Sequence, residues 1–106
     1  MTHPDLVLID DDELIRAAWL MVARARGHQL STFSSYEEFE KARIDPSVPI
    51  YVDLNLANDV CGIVIARNLL SSGYRKVFLS TGMEITSDLP RGISGVIGKE
   101  YPKITS

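Results

Sequence analysis

One cysteine, Cys61, in 106 residues excludes an internal disulfide and suits a reducing compartment. The two histidines, His3 and His28, stand far apart and lack the spacing of a metal-ligand pair, so neither is read as functional. No apolar run approaches the roughly 20 residues of a membrane span. The opening Met1-Thr2-His3-Pro4-Asp5 lacks the basic and long apolar regions of a signal peptide, so a soluble, cytoplasmic protein is expected. Neither sign of charge dominates, with 11 basic and 14 acidic residues and a net charge of −3. The basic residues are scattered, and a nucleic-acid footprint is not expected. There is no repeat of fixed period, no low-complexity segment and no linker.

What the chain does have is the profile of one globular domain, 1–106: 45% apolar, 24% charged and 8% aromatic residues. Leu6–Ile9 is an unbroken apolar run, as in a strand buried on both faces. Asp12 is placed to cap a helix from Glu13 to Arg26 that Gly27 ends. Between Leu14 and Ala25 only Arg16 and Arg24 are charged, so the apolar surface wraps beyond one stripe. Leu30–Phe33 reads as an edge strand, and Ser34 or Ser35 as the cap of a helix from Tyr36 to about Arg43. Ile50–Asp53 is the next strand, followed by a loop over Asn55–Asp59 and a helix over Cys61–Ser72 closed by Gly73. Lys76–Ser80 and Gly95–Gly98 complete five strands, and the polar link between them, from Thr81, holds at most one helical turn. Repeated βα units imply a mostly parallel sheet with right-handed crossovers.

The chemistry gathers at the C-terminal ends of the strands. Leu6–Ile9 runs into Asp10-Asp11-Asp12, and Ile50-Tyr51-Val52 into Asp53. In open α/β sheets that edge binds ligands. Carboxylates crowded there repel unless a cation or proton neutralises them, so they could hold a hard divalent ion. Asn55, Thr81 with the small Gly82, and Lys99 follow the other strands. Asp12 alone reads as a helix cap, and Ser80 is a close rival of Thr81.

This ordered set of Asp-Asp, Asp, Thr and Lys resembles the receiver domain of bacterial response regulators, the CheY-like family, over Leu6 to Lys99. The resemblance implies a flavodoxin-like, doubly wound α/β fold, a five-stranded parallel sheet of order 2-1-3-4-5. It implies a two-component phosphorelay switch rather than a turnover enzyme, with Asp53 as phosphoacceptor. Asp10, Asp11, Asp53 and the backbone carbonyl of Asn55 would bind Mg²⁺, Thr81 would sense the phosphoryl group and Lys99 would pair with it. The donor would be a histidine kinase or phosphotransfer protein. Such roles suit the residue types: a carboxylate can carry a phosphoryl group, and the transfer needs mainly positioning and charge neutralisation.

The chain departs from the family in four places. Glu100 follows Lys99 where the family has proline with a cis bond, so the expected trans bond need not aim Lys99 at the site. Val96 stands where the family has a switch aromatic. The fourth helix is reduced and the fifth missing, either by nature or because the sequence is a fragment cut before it. The apolar first helix is then expected to pack, through Trp19, Met21 and neighbours, against a second copy or a partner. Two further readings compete: a degenerate receiver that binds partners without phosphorylation, and a haloacid-dehalogenase-like phosphatase using Asp10 as nucleophile and Asp12 as acid.

Overall fold

The apolar runs at Leu6–Ile9 and from Ile50 become central strands, and the Glu13–Arg26 run becomes a helix. The computed structural model describes residues 3–54, 61–82 and 89–103. In chain order the elements are β1 (Leu6–Ile9), α1 (Glu13–Arg26), β2 (Leu30–Phe33), α2 (Tyr36–Ala42), β3 (Ile50–Asp53), α3 (Gly62–Ser71), β4 (Val77–Ser80) and β5 (Gly95–Ile97). All strands pair in parallel, in the order β2-β1-β3-β4-β5, which is the flavodoxin-like sheet expected. Every residue of β1 and β3 is buried, as the continuous apolar pattern demands of central strands.

The helix ends follow from local chemistry. The Asp12 carboxylate accepts the Leu14 and Ile15 N–H groups at the start of α1. Gly27 closes the helix at φ 73°, in the left-handed region that glycine adopts at least cost. Glu13 in the first turn and Arg24 and Arg26 in the last match the helix dipole. Of the two serines before α2, Ser35 is the cap, accepting the Glu38 N–H.

Strand alternation divides the core between two sheet faces. Val7, Ile9, Ile50, Val52, Val77 and Leu79 meet Phe39 of α2 and Ile65, Ala66 and Leu69 of α3. Leu6, Leu8 and Tyr51 face Trp19 of α1, with Phe78, Ile97 and Tyr101 packed beside them.

Among the described residues no helix follows β5; residues 98–103 run irregularly past α1. The expected loop residue Asn55 and most of the reduced fourth-helix segment lie outside the described residues. The expectation that Trp19 faces a partner is corrected. Trp19 is 1% exposed, with its ring edge-on to Tyr51 at 5.5 Å and tilted against Tyr101 at 5.4 Å. A large indole buries well when its N–H finds an acceptor, and here the Lys99 carbonyl supplies one at 2.9 Å. Leu14 and Met21 do stand exposed on α1. Among the described residues, no helix is long and apolar enough to cross a membrane.

Candidate functional site

Residue parity brings the site together. On β1, Asp10 continues the face of Leu6 and Leu8; on β3, Asp53 shares the face of Tyr51. Lys99, two residues beyond the end of β5, reaches the same cleft. All three are therefore delivered to the C-terminal edge of the sheet. They line a cleft of about 440 Å³ together with Asp11, Asp12, Thr81 and Gly82.

The two innermost acids are almost fully enclosed, Asp10 at 0% and Asp53 at 5% exposure. Asp10 Oδ1 accepts the Asp12 N–H at 2.9 Å, and its backbone carbonyl accepts the Arg16 guanidinium at 2.8 Å. The Lys99 ammonium donates to Asp10 Oδ2 at 3.0 Å and to Asp53 Oδ1 at 2.5 Å. Lys99 thus reaches the site although there is no cis peptide bond among the described residues. Partial burial alone pulls its ammonium pKa down. Hydrogen bonds to Asp53 and Asp10, with the attraction of both carboxylates, outweigh burial and leave it above the ordinary lysine value.

Asp11 is exposed at the rim, and one carboxylate oxygen from each of Asp10, Asp11 and Asp53 lies within 4.8 Å of the others. Three oxygens at that spacing suit a hard cation, which takes carboxylate ligands from several directions. These three carboxylates could hold a divalent cation.

Ser80 and Thr81 separate cleanly. The buried Ser80 hydroxyl donates to the Gly98 carbonyl at 3.1 Å and ties β4 to the end of β5. Thr81 lines the cleft, and its N–H donates to the Ile97 carbonyl at 3.0 Å. Asp12 also borders the cleft, but its carboxylate holds the start of α1. Val96 is 41% exposed, so its side chain faces outward.

Two contributors were not anticipated from the sequence. Gly62 begins α3 against the end of β3: its N–H donates to the Leu54 carbonyl at 2.7 Å, and a Cβ there would fall 2.2 Å from the Asp53 carbonyl oxygen. The helix can approach the Asp53 backbone this closely only with glycine. Trp19 is the other. An apolar helix gave no sign that its indole would bond the chain beside a polar site, although a buried tryptophan needs such an acceptor.

No protein-family model matches the sequence, and no curated protein matches it. Among solved structures the chain is similar to the response regulator StyR, with a TM-score of 0.77 at 18% sequence identity. The match covers 95% of this chain and 54% of that one, so this chain spans about half the length of that protein. Five parallel strands in the order 2-1-3-4-5, flanked by three helices among the described residues, give this chain a receiver-like fold.

Proposed function

We propose that this chain is the phosphoacceptor switch of a two-component phosphorelay, taking a phosphoryl group on Asp53 and signalling by protein contact. The observation that carries the reading is the Lys99 ammonium bonded to both Asp10 and Asp53, with Asp11 and Thr81 in the same cleft. An Asp53 carboxylate oxygen attacks phosphorus, and the bond from phosphorus to the donor's imidazole nitrogen breaks. That nitrogen keeps the electron pair and takes up a proton. Lys99 neutralises charge spread over the phosphoryl oxygens, and the Thr81 hydroxyl donates to one of them. Attack of water on the aspartyl phosphate releases phosphate and resets Asp53.

Mg²⁺ would be held by Asp10, Asp11 and Asp53, with the Asn55 carbonyl as a further ligand. When bound it supplies charge neutralisation for the transferring group. The donor would be a cytoplasmic histidine kinase or phosphotransfer protein. The exposed Leu14 and Met21 of α1, along an open groove that Met21 shares with Ala17 and Leu20, offer apolar area for it or for a second copy.

A second reading, an interaction module that works without phosphorylation, draws on the exposed Val96, which offers no ring to swing against Thr81. Intact-mass measurement after incubation with acetyl phosphate and Mg²⁺ separates the two. The switch gains one phosphoryl mass, and Asp53→Ala abolishes the gain. No gain in the unsubstituted chain leaves the interaction module.

A further inference from the structure

We propose that Trp19 is the positioning residue that aims Lys99 at Asp53, acting through the lysine's own carbonyl. The inference rests on reading Lys99 as the partner of the phosphoryl group. A lysine carries its charge on a flexible four-carbon stem, so its aim depends on how firmly its backbone is held. Strand β5 stops at Ile97, two residues short of Lys99.

Beyond that point side chains fix the chain. The Gly98 carbonyl accepts the Ser80 hydroxyl at 3.1 Å, and the Lys99 carbonyl accepts the Trp19 indole N–H at 2.9 Å. The Tyr101 ring lies between Trp19 and His28, 5.4 Å from one and 5.9 Å from the other. Its hydroxyl bonds His28 Nδ1 at 2.7 Å. An indole has one donor and no acceptor, so the direction of the bond to Lys99 is settled by chemistry.

Trp19 is itself braced against the strand that carries the target. Its ring meets Tyr51, two residues before Asp53 on β3, and Tyr51 stacks on Phe78 of β4 at 4.6 Å. One rigid side chain therefore touches both the backbone of the lysine and the strand of its acid. That fixes their relation in a chain where a trans bond precedes Glu100. Two χ angles locked in a packed core lose little further freedom, whereas the lysine stem has much to lose.

Trp19→Phe keeps an aromatic ring and removes the N–H. The readout is the acylation rate of each lysine with limiting acetic anhydride, measured by peptide mass spectrometry. Lys41, Lys76 and Lys103 are exposed and serve as internal controls. In the unsubstituted protein Lys99 is expected to label more slowly than these three. Trp19→Phe should raise its rate about three- to tenfold, the factor that one hydrogen bond of ordinary net strength represents. The controls should not change. An unchanged Lys99 rate in a variant with the parent circular dichroism overturns the proposal.

Should Trp19→Phe fail to fold, the chain's single tryptophan still gives one indole N–H resonance. Slow exchange, with a shift when Asp53→Asn releases the ammonium, supports the positioning role. Exchange as fast as that of free indole, or no shift, overturns it. Phosphoryl uptake is scored separately by mass. Protected labelling of Lys99 that Trp19→Phe lifts, without any phosphoryl gain, supports the positioning of Lys99 and removes the phosphoacceptor reading.

Discussion

Lys99 Nζ lies 2.5 Å from Asp53 Oδ1, on the same carboxylates that a divalent cation would need. Lysine and cation are therefore competitors for charge in one small space. Lys99→Met should raise Mg²⁺ affinity by at least about tenfold, since a unit charge about 4 Å from a divalent ion is worth roughly 2 kcal/mol even in bulk water and more in a partly open cleft. The same variant should take up phosphoryl groups more slowly, having lost the ammonium that neutralises them. Calorimetric Mg²⁺ titration checks the first and timed mass spectrometry the second. Equal or weaker Mg²⁺ binding in Lys99→Met would show that the two cations do not share the acids.

The glycine at the start of α3 offers a sharper structural test. A Cβ at Gly62 would overlap the Asp53 carbonyl oxygen and come within 2.8 Å of the Leu54 Cα, both of them backbone atoms that cannot swing aside. Gly62→Ala should destabilise the fold by about 1–3 kcal/mol, the usual range for overpacking. Among the described residues the one neighbour within 4 Å of a Gly82 Cβ is the Lys99 Cγ at 3.9 Å, so Gly82→Ala should be tolerated. Urea unfolding of the pair reads the contrast. Equal stabilities would mean that α3 is not held against β3 as described.

The sequence displayed the fold because β1 is an unbroken apolar run and β3 is apolar up to its last residue, Asp53, as strands buried on both faces require. The caps of α1 were equally legible, since Asp12 and Gly27 act through bonds to their immediate neighbours. Asp10, Asp11, Asp53, Thr81 and Lys99 were found as strand ends, and alternation from Leu8 to Asp10 and from Tyr51 to Asp53 explains why they converge. What depended on distant contacts was hidden. Trp19 meets Lys99 across 80 residues, and nothing near Trp19 in sequence distinguishes an indole that docks inward from one that faces a partner. The Ser80 hydroxyl is spoken for by Gly98, a neighbour created only when β5 pairs with β4. Asn55 falls outside the described residues.

Asp12 separates a switch from a phosphatase. Its Oδ1 lies 2.9 Å from the Leu14 nitrogen and 3.4 Å from that of Ile15, which is the work of a cap. Asp12→Ala should cost about 0.5–2 kcal/mol of stability while leaving phosphoryl uptake on Asp53 in place. A phosphatase with Asp12 as its acid would, beside the same loss of stability, lose turnover of a phosphate ester outright. Denaturant unfolding beside mass measurement on the same sample distinguishes these outcomes.

Alkaline pH should unfold this protein earlier than its acidic composition suggests. All four tyrosines have phenol pKa values raised above 10.0. Burial is the main cause at Tyr51, reinforced by the neighbouring Tyr101 phenol. At Tyr101 burial and Asp5 outweigh the opposing pull of Arg26, which sits 5.5 Å above the ring. Above pH 10 the unfolded chain gives up phenolic protons that the fold retains, so the folded state binds more protons and stability falls as pH rises. Lys99 acts in the same direction. Its raised pKa gives a contribution that is complete below 10.5 and is lost as pH climbs through the higher folded value. Stability measured by urea unfolding should therefore be level near neutrality and decline from about pH 10 upward. Tyr51→Phe keeps the ring against Trp19 and Phe78 and removes one ionisation, so it should flatten part of that decline. Ultraviolet titration of tyrosinate should show the unfolded chain ionising first, and coincident curves for folded and unfolded protein would refute the raised phenols.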